Sequence, residues 1–220
     1  LSGQPPFWDN LAYQTEALRI LRDWLDGDWQ NAIKNVYASR SPAHVFTLGF
    51  GYLVLGINAS SPYVISAFFG FACLAAIYTL SVELGASRRA AFWGVLACSI
   101  STNFLYQNFL QTRNDFQLAF FITLSWILFI QAIKSGSHKT IFVAGICAGL
   151  GTLFKASAPG YVIFGILMFL VLPENYIHLR IRVRIKFIIY FAAGAVIVSG
   201  WHYLPHLKET FAYYDSWGKD

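Results

Sequence analysis

Apolar residues follow two different patterns along this chain, one near its start and one over the remainder. Across residues 10–27 they recur at helical spacing, as at Tyr13, Ala17 and Ile20, while acids and bases occupy the other face. This pattern predicts an amphipathic helix that ends at Gly27. The remainder of the chain is dominated by apolar segments that alternate with short polar turns, at 43–57, 62–84, 90–106, 116–133, 140–154, 157–172 and 187–204.

The lengths of these segments decide which of them can cross a membrane. A straight helix needs about 20 residues to cross a hydrocarbon layer of about 30 Å, with a lower limit of about 17. Three segments meet this limit, and three others do so with their flanking residues. Segment 43–57 covers only about 22 Å and contains His44. We expect it to be a re-entrant or interfacial helix, with a crossing helix as the alternative.

The predicted fold is therefore all-α, a multi-pass transmembrane bundle with an extracytoplasmic first loop. Residues 1–61 form this loop, with its amphipathic and re-entrant juxtamembrane helices, and residues 62–204 form about six spans. Residues 205–220 begin a further extracytoplasmic loop. The chain starts at Leu1 without a signal-peptide pattern and stops soon after an apolar segment, so we expect a fragment of a longer protein.

Charge supports the membrane assignment and predicts its orientation. Only 12% of the 220 residues are charged, about half the roughly 25% usual in soluble domains. This excludes an ordinary soluble globule, and the net charge of +5 forms no basic face for a nucleic acid. After residue 42, turns on one side hold eight bases and loops on the other side hold four, which predicts that the richer side is cytoplasmic. The eight bases are Arg88, Arg89, Lys134, Lys139, Arg180, Arg182, Arg184 and Lys186.

Acids are scarce outside the first 42 residues, and this scarcity draws attention to Asp115. Asp115 stands at the start of segment 116–133, where it is either a functional carboxylate at membrane depth or a helix cap. Arg113 is close enough in sequence to pair with it. Asp9 directly precedes the amphipathic helix and has the same two interpretations, with proton or metal binding as its functional role.

Single bases and small residues give weaker signals. Arg40 precedes segment 43–57 and Lys155 follows segment 140–154, so both could hold a lipid phosphate or simply extend to the membrane surface. Gly145, Gly149 and Gly151 form a small-residue helix face suited to close packing in lipid. The cysteines and histidines show no metal-binding or redox spacing.

In order along the chain, these features resemble the GT-C glycosyltransferases, specifically the branch of protein-O-mannosyltransferases and lipid A aminoarabinose transferases. The resemblance rests on Trp8-Asp9-Asn10-Leu11-Ala12-Tyr13, Asp28-Trp29, Arg40-Ser41-Pro42, Arg88-Arg89, Arg113-Asn114-Asp115 and Gly149-Leu-Gly-Thr-Leu-Phe-Lys155. It covers nearly the whole chain. Their order and spacing, rather than any single motif, make the resemblance specific.

The resemblance assigns roles to individual residues. Asp9 takes the place of the catalytic Asp of the first loop and Tyr13 that of the Tyr after it, while Asn10 replaces the usual Glu. Asp115 matches the second-loop Asp. The substrate-binding positions are Tyr13, Arg40, Arg113 and Lys155. The resemblance also implies that 43–57 is re-entrant, which places Asp9 and Asp115 on one face. It leaves open a divalent metal ion as cofactor.

The implied activity is transfer of a sugar from a polyprenyl phosphate to an acceptor at the outer face of a membrane, expected to be the bacterial inner membrane. Asp9 acts as general base on the acceptor hydroxyl, and the bases stabilise the departing phosphate. The acceptor is a lipid, a glycan or a protein. Two alternatives are a transporter or flippase of polyprenyl lipids and a non-catalytic membrane subunit. The lack of an internal repeat disfavours a transporter.

Overall fold

The computed structural model describes residues 7–39, 41–101, 114–155, 157–173 and 179–208, with side chains described from residue 11 onward. All regular secondary structure in these ranges is helical, which confirms the all-α prediction for them. Nine helices lie there in chain order: α1 (Phe7–Leu25), α2 (Trp29–Ala38), α3 (Pro42–Leu55), α4 (Ser61–Glu83), α5 (Arg88–Ser99), α6 (Asp115–Ser135), α7 (His138–Phe154), α8 (Ala158–Val171) and α9 (Ile181–Tyr203).

Two helix starts differ from the sequence prediction by three residues or more, and one helix was not predicted. Helix α5 also ends at Ser99, inside the predicted segment 90–106. Helix α1 begins at Phe7 rather than residue 10, so Asp9 lies within its first turn and is not its cap. Helix α9 begins at Ile181, six residues before the start of the predicted segment 187–204. The unpredicted helix α2 alternates short runs of polar and apolar residues over only ten positions. Its start is fixed by the Asp28 side chain, which accepts a hydrogen bond from the Asn31 backbone N–H.

The longer helices run between two ends of a bundle, α4 and α6 in one direction and α7 and α9 in the other. At the end where α6 begins, which we call the Asp115 end, the Tyr203 hydroxyl of α9 donates to the Thr152 carbonyl of α7. At the opposite end, Lys134 of α6 pairs with Glu83 of α4 at 2.6 Å. His138 packs there against Phe187 at the start of α9, with ring centroids 5.4 Å apart. Helices α4 and α6 are therefore parallel, and α7 runs antiparallel to α6.

The first three helices pack at the Asp115 end. The apolar face of α1, with Ala17 and Ile20, packs against Val45 and Leu48 of α3 in one buried cluster. Helix α3 starts next to the C-terminal residue of α7, and the short segment 56–60 joins its other end to the start of α4. Both ends of α3 therefore lie at the Asp115 end, and α3 does not run the length of the bundle.

The bases predicted to share one side do lie together at the opposite end, but Arg184 is not a turn residue. It belongs to α9 and is only 2% exposed. Its Nε–H donates to the Leu179 carbonyl at 2.9 Å, and Nη1 donates to the Phe169 carbonyl at 3.1 Å and to the Leu172 carbonyl. Arg184 thus satisfies the last carbonyls of α8, which favour a positive charge.

The small-residue face of α7 allows its backbone to approach α9 closely, as predicted from the sequence. A Cβ at Gly145 would lie 2.0 Å from the Phe191 carbonyl oxygen, and one at Gly149 would lie 2.6 Å from the Ala195 carbonyl oxygen. On the other side of this contact, a Cβ at Gly194 would lie 2.2 Å from the Phe142 carbonyl oxygen. Gly151, by contrast, faces α6, because its Cβ would meet the side chain of Ile122.

Two of the described helices, α4 and α6, are long and apolar enough to cross a membrane by length and composition. Helices α3, α7 and α8 are apolar but shorter. The prediction of spans at 62–84 and 116–133 thus agrees with the structure, and the total number of crossings stays a prediction.

Candidate functional site

Three helix ends meet in a buried hydrogen-bonded junction at the Asp115 end. Ser41 precedes the first residue of α3, Asn114 precedes the first residue of α6, and Phe154 is the last residue of α7. The Asn114 amide donates to the Ser41 hydroxyl at 3.1 Å and to the Phe154 carbonyl at 2.5 Å. The Ser41 hydroxyl donates to the same carbonyl. We call these three residues the Ser41–Asn114–Phe154 junction.

The junction brings together Asp115 and Lys155, two residues that the sequence assigned to a site. The Lys155 ammonium lies 2.5 Å from an Asp115 carboxylate oxygen, and both side chains are partly exposed. Asp115 is the first residue of α6 rather than its cap, since Asn114 holds that position. Its carboxylate still lies at the positive end of the helix. The pairing with Lys155, 40 residues away, was not predicted.

Tyr13 and His44 extend this site toward α1 and α3. The Tyr13 ring packs edge-on against the His44 ring, with centroids 5.2 Å apart. His44 is 1% exposed, and its Nδ1 has no hydrogen-bond partner among the described residues. Burial lowers the pKa of His44 to about 4, and the nearby Asp115 carboxylate opposes this shift. The imidazole is therefore neutral at pH 7.

The remaining predicted site residues are described less completely. Arg40 and Arg113 lie outside the described residues, although their chain neighbours Ser41 and Asn114 belong to the junction. Asp9 lies in the first turn of α1, one turn before Tyr13 in sequence. The sequence analysis named His44 and Asn114 only as parts of a segment and of a motif and assigned neither to the site, because neutral polar residues in apolar surroundings show no pattern of their own.

A cavity of about 330 Å³ lies beside the Asp115 carboxylate. Its wall combines polar groups of Asp115, Thr123 and Tyr161 with apolar side chains of α6, and it is lined by Asp115, Leu118, Ala119, Ile122, Thr123 and Tyr161. A largely apolar wall with few polar groups suits an amphipathic ligand whose polar part lies near Asp115.

The part of the chain that the structure describes contains no preformed metal-binding site. No three His, Cys, Asp or Glu side chains among the described residues converge as metal ligands would. The Asp115 carboxylate is paired with Lys155 instead.

The described helices form an all-α protein in which α4 and α6 are long and apolar enough to cross a membrane, and the Asp115–Lys155 ion pair lies where α6 begins. This combination indicates a membrane-associated helical protein. Residues 39–203 match the family model described as dolichyl-phosphate-mannose-protein mannosyltransferase, and the chain belongs to this family of membrane glycosyltransferases that use a lipid-linked sugar donor. The match includes the junction, Asp115 and Lys155, but not Asp9 or Tyr13. No curated protein and no solved structure matches the chain.

The buried imidazole of His44 should make folding stability depend on pH. The pKa of His44 is 6.5 in the unfolded chain and about 4 in the folded protein. Between pH 6.5 and pH 4, the unfolded chain therefore binds a proton more tightly than the folded protein does. The neutral imidazole makes its full contribution to the free energy of unfolding above pH 6.5. As the pH falls toward 4, the protein loses on the order of 3 kcal/mol of this free energy. Thermal unfolding in detergent between pH 7.5 and 4.5 measures this loss.

The His44→Phe variant removes the titrating group and should be less sensitive to acid than the wild type. His138→Gln is the control, because His138 is exposed at the opposite end. If His44→Phe loses as much stability on acidification as the wild type, the buried neutral imidazole is not responsible.

Proposed function

We propose that the protein transfers a sugar from a polyprenyl phosphate to an acceptor hydroxyl, in a site formed at the Asp115 end by α1, α3, α6 and α7. The observation that carries this proposal is the Asp115–Lys155 ion pair, held by the junction beside an amphipathic cavity. Membership of the mannosyltransferase family supports the class of donor. The acceptor is a protein, a glycan or a lipid, and mannose is the first sugar to test.

The proposed reaction is an in-line displacement at the anomeric carbon of the donor sugar. The Asp9 carboxylate accepts the proton of the acceptor hydroxyl as its oxygen forms a bond to that carbon. The bond between this carbon and the phosphate oxygen breaks, and its electron pair leaves with the lipid phosphate. The products are an inverted glycoside and a polyprenyl phosphate.

Lys155 is the proposed group that stabilises the leaving phosphate. Its ammonium lies at the end of α7, partly exposed and paired with Asp115. A cation fixed before the reaction stabilises developing negative charge without reorganisation. Asp115 orients Lys155 and supports the acceptor. Arg40 and Arg113 are expected to contribute further positive charge, because each directly precedes a residue of the junction in sequence.

The proposed membrane orientation places the Asp115 end outside, in a bacterial inner membrane. The clustered bases of the opposite end then face the cytoplasm. Helix α3 is a juxtamembrane helix in this arrangement, which is supported by the location of both its ends at the Asp115 end. Large apolar side chains exposed on the bundle, such as Phe71, Phe164 and Ile197, would contact lipid.

A donor-dependent transfer assay tests the function directly. The purified protein in sealed lipid vesicles is incubated with dolichyl-phosphate mannose labelled in the sugar, with membrane extract as the source of acceptors. Label should leave the donor and appear in a protein, glycan or lipid fraction. Movement of intact donor between leaflets without transfer would favour the flippase, and no effect on the donor would favour a non-catalytic subunit.

Replacing Lys155 by Met should lower kcat by about 10²- to 10³-fold, the effect of removing one group that stabilises the developing anion. Lys208→Met is the matched control, because Lys208 is an exposed base just after α9, also at the Asp115 end. Its transfer rate should equal that of the wild type. Equal rates for the two variants would exclude Lys155 from the reaction.

A further inference from the structure

The two residues that precede α3 and α6 use their side chains in an unusual way. Ser and Asn at such positions ordinarily accept a hydrogen bond from the first turn of their own helix. Neither Ser41 nor Asn114 does so here. Both side chains are buried and donate to the Phe154 carbonyl of a third helix. These residues therefore join helices instead of capping them.

The location of this junction in the sequence relates it to the site. Asn114 lies directly between Arg113 and Asp115, and Phe154 directly precedes Lys155. Successive Cα atoms are about 3.8 Å apart, so a shift of the junction shifts Asp115 and Lys155 by a comparable distance. Because 40 residues separate Asp115 and Lys155 in the chain, their ion pair depends on contacts between α6 and α7. The junction adjoins both residues, and Phe154 also packs there with Leu118 and Ile122 of α6.

We propose that Asn114 and Ser41 are positioning residues of the transferase site, which set the separation of Asp115 and Lys155 by binding the ends of α6 and α7 to the start of α3. This inference rests on the proposed function. The two residues do not contact the reacting atoms. They act by fixing the charged groups that do.

The contacts of the surrounding helices indicate that the junction determines geometry more than folding. Helices α6 and α7 are held along their length by a separate buried cluster that includes Phe129, Ile141 and Ala144. Helix α3 is held by its own cluster with α1. Without the junction, the helices should stay associated while their ends shift. A misplacement of about 1 Å in a site can lower the rate by about 10²-fold.

The test compares Asn114→Ala, Ser41→Ala and Ser41→Thr in the transfer assay, with dolichyl-phosphate mannose as the donor. Asn114→Ala should lower kcat by about 10²-fold, with little change in the donor KM. Ser41→Thr retains the hydroxyl and should restore most of the activity lost in Ser41→Ala. The double variant Asn114→Ala/Ser41→Ala should lose less than the product of the single losses, because both bonds serve one carbonyl.

Asn58→Ala is the matched control for a purely structural role. Asn58 also joins two helices, since it donates to the Leu55 carbonyl at 3.2 Å and accepts from the Ser61 backbone N–H at 3.0 Å. Its removal should lower the Tm but leave kcat unchanged. If kcat falls equally in both variants, Asn114 has only a structural role and the inference is wrong.

A cross-linking measurement separates this inference from the proposed function. Cysteines are placed at Asp115 and Lys155 in a Cys98→Ser background, since Cys98 is an exposed native thiol, and are joined by a short bis-thiosulfonate reagent. Adding Asn114→Ala should lower the cross-linking yield severalfold, and an unchanged yield overturns the positioning role. Absence of transfer by the wild-type protein would instead overturn the proposed function.

Discussion

Replacing Asp9 by Asn should lower sugar transfer by about 10²- to 10⁴-fold, because an amide cannot accept the proton of the acceptor hydroxyl. Asp9 lies in the first turn of α1, one turn before Tyr13, and Tyr13 packs on His44 close to Asp115. The position of α1 is thus compatible with a base on the acceptor side of the site. Initial rates of transfer from dolichyl-phosphate mannose measure the effect.

The kinetic pattern distinguishes a base from a binding residue. Loss of a base should lower kcat while the donor KM stays nearly constant. The control is Asp26→Asn, which removes an exposed acid just after the other end of α1 and should leave transfer unchanged. Undiminished transfer in Asp9→Asn would exclude Asp9 as the base, and would direct attention to Asp115.

Replacing Gly145 by Ala should destabilise the bundle by about 3 kcal/mol, the upper part of the usual range for overpacking. The new Cβ would lie 2.0 Å from the Phe191 carbonyl oxygen, which is backbone and cannot rotate away. Helices α7 and α9 must therefore separate along the contact that Gly149 and Gly194 also form. Thermal unfolding in detergent, followed by circular dichroism, measures the loss.

Gly94→Ala provides the matched control within a helix. Gly94 lies inside α5, and a Cβ there meets nothing within 4 Å. This substitution should stabilise the protein by up to about 1 kcal/mol, because Ala favours the helix more than Gly does. If Gly145→Ala is as stable as Gly94→Ala, the close approach of α7 and α9 is not needed for folding.

Helix positions were largely predictable because apolar segments and polar turns alternate clearly in this chain. The predicted segment 43–57 became α3 (Pro42–Leu55), and 140–154 became α7 (His138–Phe154). One error occurred where charge precedes the apolar pattern, at the start of α9, and another where α5 ends at Ser99 inside the predicted segment 90–106. Helix α9 includes Arg182 and Arg184 because the latter is buried against the carbonyls of α8, a tertiary contact that no local pattern records.

The site was predicted through residues that carry charge, and the residues that organise it were missed. Asp115 was conspicuous as an isolated acid, and Lys155 was assigned by the family resemblance. Their mutual ion pair depends on the ends of α6 and α7 meeting, which the Asn114 and Ser41 side chains bring about. Long-range contacts between neutral polar groups leave no periodic signal in one sequence, so only the structure reveals this arrangement.

The short lengths of α7 and α8 have a consequence for the lipid around them. At 17 and 14 residues, they extend only about 25 and 21 Å, less than a hydrocarbon layer of about 30 Å. In the proposed arrangement, in which both helices cross the membrane, this hydrophobic mismatch would be relieved by local thinning of the bilayer. Lys155, which lies in the short connection between these two helices, would then lie at the depth of the lipid phosphates. A polyprenyl-linked sugar could react there without its lipid leaving the membrane.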